Sequence, residues 1–395
     1  MKLLNARLID GKGELFERVD IELEGSHFDR ISPSTEHASS DSANHQMSNI
    51  IDLEGKTVIP GLFNCHIHLA INPFVRLEDD SREPVSYRVL CAVKRAEAML
   101  KAGITTARDL GGQDYSEMAV KRVINENLFP GPRLLVSGKV LTMTGGHGYW
   151  IGIEVDGNDE VRKAARLNLK MGADCIKMMA TGGVMTPGVD PNNESLLEEE
   201  LRAGFEEAHK AGKITASHAQ GTSGIKNAIR AGVRTIEHGV YLDDEAVQMM
   251  VERGTFFVPT LAAPMQILEA GEEKGVPKYM VDKSMMVFEF HQRSVQMAYK
   301  AGVKIACGND GGTPFNPQED IYTEMRLLGE AGMSNMEVIS AATSVSATAM
   351  KLDKVVGTVE AGKFADFVVL NGDPLINLST IKTPHMVWKE GQRFL

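Results

Sequence analysis

The chain has 395 residues, 43% hydrophobic and 24% charged, ordinary for a globular protein and enough for one large barrel or two to three smaller domains. A formal net charge of −11 argues against nucleic acid or an anionic membrane as the main partner, because both need basic patches. The charge by itself identifies no substrate.

From the N-terminus, MKLLNARLID is interrupted by charge before an apolar run can form, so no secretory signal is expected. No apolar run reaches the length of about 18 residues that a membrane span needs. KLLNARLID and ELFERVDIELEG read as hairpin strands, and the polar stretch 32–49 reads as a solvated loop that leaves His37 and His45 at the surface. Eight short apolar runs then follow: 57–69, 103–110, 132–138, 173–180, 213–219, 234–239, 256–261 and 303–310. Helical patterns separate them, such as PVSYRVLCAVKRAEAMLKAG and LLEEELRAGFEEAHKAG, and several end in Lys-Ala-Gly or Ala-Gly, the glycine stop expected before a strand. This alternation predicts a (β/α)8 barrel over residues 57–353, with an open doubly wound sheet as the alternative. KFADFVVL and HMVWKEGQ, near the C-terminus, are strand-like again. Residues 1–56 and 354–395 are each too short to bury a core, so they are expected to pair as one small discontinuous β-sandwich. Cys65, Cys91, Cys175 and Cys307 lie far apart without CxxC spacing, which predicts reduced thiols and a cytoplasmic protein.

The polar residues on these strands form a pattern. His66 and His68 close the first strand, Lys177 lies near the end of the fourth, and His218, His238 and Asp310 close the fifth, sixth and eighth. The C-terminal strand edge is where this fold builds active sites. Residues i and i+2 of a strand share a face, so both histidines of His-x-His project into the barrel. Imidazole and carboxylate are usual zinc ligands. A free ammonium cannot ligate a cation. Lys177 therefore either pairs with Asp310 or a backbone carbonyl, or it reacts with CO2 to give a carbamate able to bridge two metals.

VIPGLFNCHIHL (58–69) resembles the first-strand signature of the amidohydrolase superfamily, and VGTVEAGKFADFVVLNGDPL (356–375) is similar to the segment that closes the small domain there. TGGHG (144–148), ADCIKMMATGGVMTPG (173–188), ASHAQG (216–221) and IEHGVYLDDE (236–245) resemble the imidazolonepropionase-related branch. That branch includes metal-dependent dipeptidases and carboxypeptidases removing Pro, Arg or Lys, with ochratoxin-hydrolysing amidases as relatives. The resemblance covers nearly the whole chain. It implies two divalent ions, zinc by expectation. His66, His68 and Asp310 would hold the more buried one, His218 and His238 the other, and carboxylated Lys177 would bridge them around a hydroxide. Imidazolonepropionase itself is mononuclear and does without this lysine, so Lys177 speaks against that narrower name.

The function implied is hydrolysis of an amide bond in a dipeptide or N-acyl-L-amino acid, the alternative being a ring-opening hydrolase of cyclic amides or a deaminase. Asp310 would take the water's proton and pass it to the leaving nitrogen. His147 would donate to the carbonyl oxygen or else be a surface loop residue; Tyr241 would hold a substrate carboxylate or else only pack. Gln220 stands where relatives often have a second histidine, which leaves its role open. The loop 181–195 is expected as a pocket wall and residues 262–282 as a lid. His27, His209, His291 and His385 have no motif context, and His209 and His291 are expected on solvent-facing helix sides. The 21 methionines read as core filler. The expected partners are a small-molecule substrate and, in a homo-oligomer, copies of the chain itself.

Overall fold

The structure, a computed structural model, describes residues 1–34 and 50–395; His37 and His45 lie outside the described residues. The chain opens with β1 (Lys2–Ile9), β2 (Leu15–Glu24), β3 (His27–Pro33), β4 (Ile50–Asp52) and β5 (Thr57–Pro60). The barrel strands are β6 (Leu62–Ile67), β7 (Ile104–Asp109), β8 (Arg133–Val136), β9 (Val140–Thr142), β10 (Gly152–Glu154), β11 (Cys175–Met179), β12 (Ile214–Ala219), β13 (Thr235–His238) and β14 (Phe256–Val258). Last come β15 (Phe367–Leu370), β16 (Met386–Lys389) and β17 (Gln392–Arg393).

The run 57–69, read as one strand, divides at Gly61. A β-carbon there would lie 2.1 Å from the Thr105 hydroxyl, so only glycine lets β5 hand over to β6. β5 joins the terminal strands in one eight-stranded sheet of order β17-β16-β15-β5-β1-β2-β3, with β4 beside β1. Four strand spacings separate β15 from β3, roughly 19 Å in a flat sheet. Yet the Phe28 and Phe367 rings lie 5.8 Å apart, so the sheet curls over on itself. Period-two alternation assigns its faces. Val58, Phe367 and Val369 point into the curl with Leu3, Ile21 and Trp388, whereas Ile59, Val368 and Leu370 join the core of the barrel.

Two parallel arcs, β6-β7-β8 and β10-β9-β11-β12-β13-β14, make up the (β/α)8 barrel. Asp174 N–H donates to Val136 O at 2.8 Å across one junction. The other is closed by residues 304–311 through Phe257 N to Lys304 O (2.9 Å), Cys65 N to Cys307 O (2.9 Å) and His68 N to Gly311 O (2.7 Å). The eighth strand, expected over 303–310, is thus present only as isolated bridges at Ile305 and Gly311. Side-chain amides replace its regular pairing: Asn64 Nδ2 donates to Asn309 Oδ1 (2.7 Å), and Gln318 Nε2 donates to His68 O and Ile71 O (2.9 Å each). Backbone groups that leave a ladder must find partners elsewhere, and this amide cluster supplies them.

The Lys-Ala-Gly triplets act as read. Gly103, Gly212 and Gly302 adopt φ of 90°, 69° and 82° one residue beyond the helix caps at Ala102, Ala211 and Ala301. All four cysteines are free thiols, and among the described residues no helix is long and apolar enough to cross a membrane. Phe367 is fully buried, between Phe28 and a stacked Trp388 ring at 5.5 Å. Phe367→Ala is expected to cost about 3–5 kcal/mol in chemical denaturation, because both rings lose their partner; a loss below about 1 kcal/mol would show that the curled sheet closes over the cavity.

Candidate active site

At the C-terminal end of the barrel one cavity gathers His66, His68, His147, Lys177, His218, His238 and Asp310. Their rings form a chain, with centroid separations of 5.4 Å for His66–His68, 5.1 Å for His66–His238, 4.5 Å for His218–His238 and 4.4 Å for His147–His218. Donor atoms of His66, His238 and Asp310 all lie within 4.8 Å of one another. Asp310 Oδ1 lies 3.4 Å from His66 Nε2 and 3.2 Å from His68 Nε2, yet among the described residues it has no hydrogen bond of good geometry.

The hydrogen bonds on the far side of each ring decide which nitrogen is left free. His66 Nδ1 donates to the Glu237 carboxylate (2.9 Å) and His68 Nδ1 to Gly111 O (2.8 Å), which leaves Nε2 of each as a lone pair. His218 uses Nε2 on Gly182 O (2.8 Å) and keeps Nδ1 free. The Thr260 hydroxyl donates to Pro259 O, so it accepts from His238 Nδ1 at 2.7 Å and leaves His238 Nε2 free. In their neutral forms these four imidazoles present acceptor nitrogens. His147 differs. The Thr186 hydroxyl accepts from Gly148 N–H (3.3 Å) and pairs with His147 Nδ1 (2.8 Å), a contact that serves either tautomer because a hydroxyl both donates and accepts.

Burial pushes His66, His147 and His238 well below the usual imidazole value and His218 down to about 4, so these rings are neutral. Burial also opposes charge on His68 and Asp310. Their mutual contact overrides it, holding His68 up and Asp310 well below the carboxylate range. Lys177 is 1% exposed, and burial pulls its ammonium down to about 8 against the nearby charges of Glu237 and Asp310. The neutral imidazoles of His66, His218 and His238, together with His68 beside the Asp310 carboxylate, are donor types that fit divalent cations. His238, Thr260 and Asp310 hold left-handed backbones (φ 72°, 61° and 58°), uncommon outside glycine; His238 and Asp310 line this cavity and Thr260 holds the His238 ring.

Two residues that carry the site were not singled out from the sequence. Arg108, 0% exposed, donates to Cys65 O (2.7 Å), Thr235 Oγ1 (3.0 Å) and Glu237 Oε1 (2.8 Å); Glu237 Oε2 in turn holds His66. The available signal was a charge inside each of the apolar strands GITTARDL and RTIEHG, since buried charges need partners. His291 corrects the expectation of a solvent-facing helix side. It is 1% exposed, lines the cavity and donates from Nε2 to Pro259 O at 2.7 Å, whereas His209 is exposed as expected. The packing of helix Lys278–Lys300 over the cavity turns His291 inward, and burial lowers it to about 4.

The loop 181–195 does form a wall, through Val184 and Met185. Lys283 fastens it, its ammonium donating to the carbonyls of Gly183 (3.1 Å), Thr186 (2.6 Å) and Val189. Ala263, Pro264 and Ile267 of the expected lid line the cavity from the helix Ala262–Ala270. Gln220 also lines it, with Oε1 buried and unpartnered among the described residues. Tyr241 is not among the lining residues; its half-buried ring packs against Phe290 at 5.2 Å and against the Val184–Val240–Val287 wall.

The amidohydrolase family model matches residues 57–393. The chain belongs to the amidohydrolase family. It is therefore a hydrolase acting on carbon–nitrogen bonds. Ochratoxinase from Aspergillus niger is 32% identical over 370 residues, covering 85% of this chain and 75% of that protein. A solved Xaa-Pro dipeptidase with methionine bound in its active site superposes with a TM-score of 0.90 at 29% identity, over 99% of this chain and 98% of its own. A solved prolidase complexed with N-methylphosphonate-L-proline reaches 0.89 at 30% identity, over 99% and 98%.

The amidohydrolase barrel holds its charge pair without solvent, which makes a direct test possible. Arg108→Met strands the Glu237 carboxylate and is expected to cost about 3–5 kcal/mol. Adding Glu237→Gln should recover part of that loss in denaturation experiments; a double variant no more stable than Arg108→Met would show that the pair is not coupled.

Proposed function

We propose that this amidohydrolase uses two divalent cations, zinc by donor type, to hydrolyse the amide bond of a dipeptide or N-acyl-L-amino acid in the cytoplasm. The observation that carries the reading is how the rings are held: His66, His68, His218 and His238 are each engaged through one nitrogen, which leaves the other for a cation, in the cavity that also contains Asp310 and Lys177. On this reading His66, His68 and Asp310 would hold one cation, His218 and His238 would hold the other, and Lys177, if carboxylated, would ligate both. When bound, the cations supply Lewis acidity that activates water and polarises the scissile carbonyl.

The chain's own groups do the rest. Asp310 accepts the proton of the attacking water and delivers it to the amide nitrogen, which leaves only when protonated. His147 Nε2–H donates to the carbonyl oxygen as negative charge gathers there. Glu237, backed by Arg108, keeps His66 in the required tautomer. Apolar walls of Ile151, Met179, Val240 and Val287 keep bulk water from the reacting atoms. At the rim, Tyr241 holds the substrate carboxylate. Support for an amide of this size comes from the dipeptidase and prolidase neighbours.

The six side chains proposed as ligands, all in one cavity, exceed the four that a single tetrahedral site takes. Lys177→Ala is therefore expected to retain fewer than two metals per chain by elemental analysis; two tightly held ions in that variant would remove the bridge. For the substrate, kcat/KM of free and C-terminally amidated dipeptides should differ strongly in favour of the free acid. Tyr241→Phe should penalise the free acid more than the amide. Equal cleavage of both forms would overturn the carboxylate assignment, and opening of cyclic amides alone would overturn the amide-bond reading itself.

A further inference from the structure

Beside the histidine cavity lies a second one with a different chemistry. Its walls are mainly apolar, with Phe74, Leu77, Val276, Met280 and Phe315, and Arg76, Glu78 and Lys274 also line it. Ile71, Met185 and Gly312 line both cavities, so the two adjoin across a shared wall. None of the histidines, Lys177 or Asp310 reaches the second cavity.

The walls are built, not incidental. Phe315 N–H donates to Pro73 O at 2.8 Å, which ties the loop after the eighth barrel segment to the loop after β6. Gln318 Nε2 anchors the same junction on Ile71 O at 2.9 Å. Phe315 holds φ 60°, a conformation rare for a bulky residue, and its ring meets Phe74 edge-on at 6.2 Å. Phe74 nevertheless remains 64% exposed, with Val75 beside it at 42%. An apolar cluster left in water at the mouth of a reaction cavity marks a surface that a ligand covers.

We infer that this second cavity is a subsite for an apolar acyl group of the substrate, aromatic or branched. The inference rests on the amide-hydrolase reading above. Barrel order supplies the direction. The second cavity is formed mainly by segments after β6, β14 and residues 304–311, which are neighbours in the ring. Gln220 and Tyr241 follow β12 and β13, on the far side of the mouth. A substrate whose leaving-group carboxylate lies toward Tyr241, with its carbonyl over the cations, extends its acyl half toward Phe74 and Phe315.

The test compares N-acetyl and N-(2-naphthoyl) derivatives of one L-amino acid on the full-length, metal-loaded enzyme. The naphthoyl compound should be favoured in kcat/KM by roughly tenfold or more. Phe74→Ser and Val75→Gln, both at exposed positions, should remove most of that preference and leave acetyl turnover unchanged. A wild type without the preference, or variants that slow both compounds equally, would overturn the subsite. Fluorescence-detected binding of 2-naphthoate separates this failure from failure of the amide reading. Binding weakened by Phe74→Ser, with no amide turnover at all, removes the amide reading and keeps the cavity as an apolar ligand site. Binding indifferent to both variants removes the subsite whatever the turnover.

Discussion

The buried ion pair between Arg108 and Glu237 is the constraint on which the site depends. A guanidinium with no exposure is tolerable only when its charge and most of its donors are matched. Here one carboxylate supplies the charge, and a carbonyl of β6 and a hydroxyl of β13 take further N–H groups. Arg108 thereby joins three barrel strands from the inside. The outer oxygen of the same carboxylate holds His66, so the pair that fastens the barrel floor also sets the tautomer of the first ligand-type ring above it. Breaking either partner would leave a bare charge in the core, which makes floor and site one mechanical unit.

Above that floor the geometry is over-determined. His66, His68, His218, His238 and His147 are each fixed through one ring nitrogen, by Glu237, Gly111 O, Gly182 O, Thr260 and Thr186 respectively. Several of these partners sit on strained or loop backbone, and their own neighbours hold them there. The Asp310 carbonyl accepts from Thr313 Oγ1 (2.8 Å) and Asn316 Nδ2 (3.1 Å), which stabilises its left-handed turn. Lys283 draws three carbonyls of the loop that carries Gly182 and Thr186. A single helix thus governs the cavity wall and, through it, the orientation of His147 and His218.

The amide cluster around Asn309 explains how the barrel closes where its eighth strand is nearly absent. A regular ladder would direct the backbone of residues 303–310 along its neighbours and leave Asp310 in an ordinary strand conformation. Side-chain amides satisfy the same backbone groups while allowing a sharp turn at Asp310. Closure and carboxylate placement are therefore two results of one network.

Much of this was legible without coordinates. The alternation of apolar runs and glycine-stopped helices specified the barrel, because period and capping are local properties of the chain. His-x-His and the strand-ending His218, His238 and Asp310 were legible because a strand's end and the side its residues face are set by spacing alone. Other features were not. The cut at Gly61 depends on Thr105, more than forty residues away. The pairing of Arg108 with Glu237 joins two strands 129 positions apart. His291 sits on an ordinary helical pattern, and only the docking of that helix over the cavity turns it inward. Tautomers, too, belong to the fold, since each depends on a hydrogen-bond partner brought by a different loop. By itself, the sequence determined which side chains could do chemistry and on which elements they stand. Tertiary structure alone decided which nitrogen each ring exposes and which charges share a dry interior, because both follow from contacts between segments that local spacing does not encode.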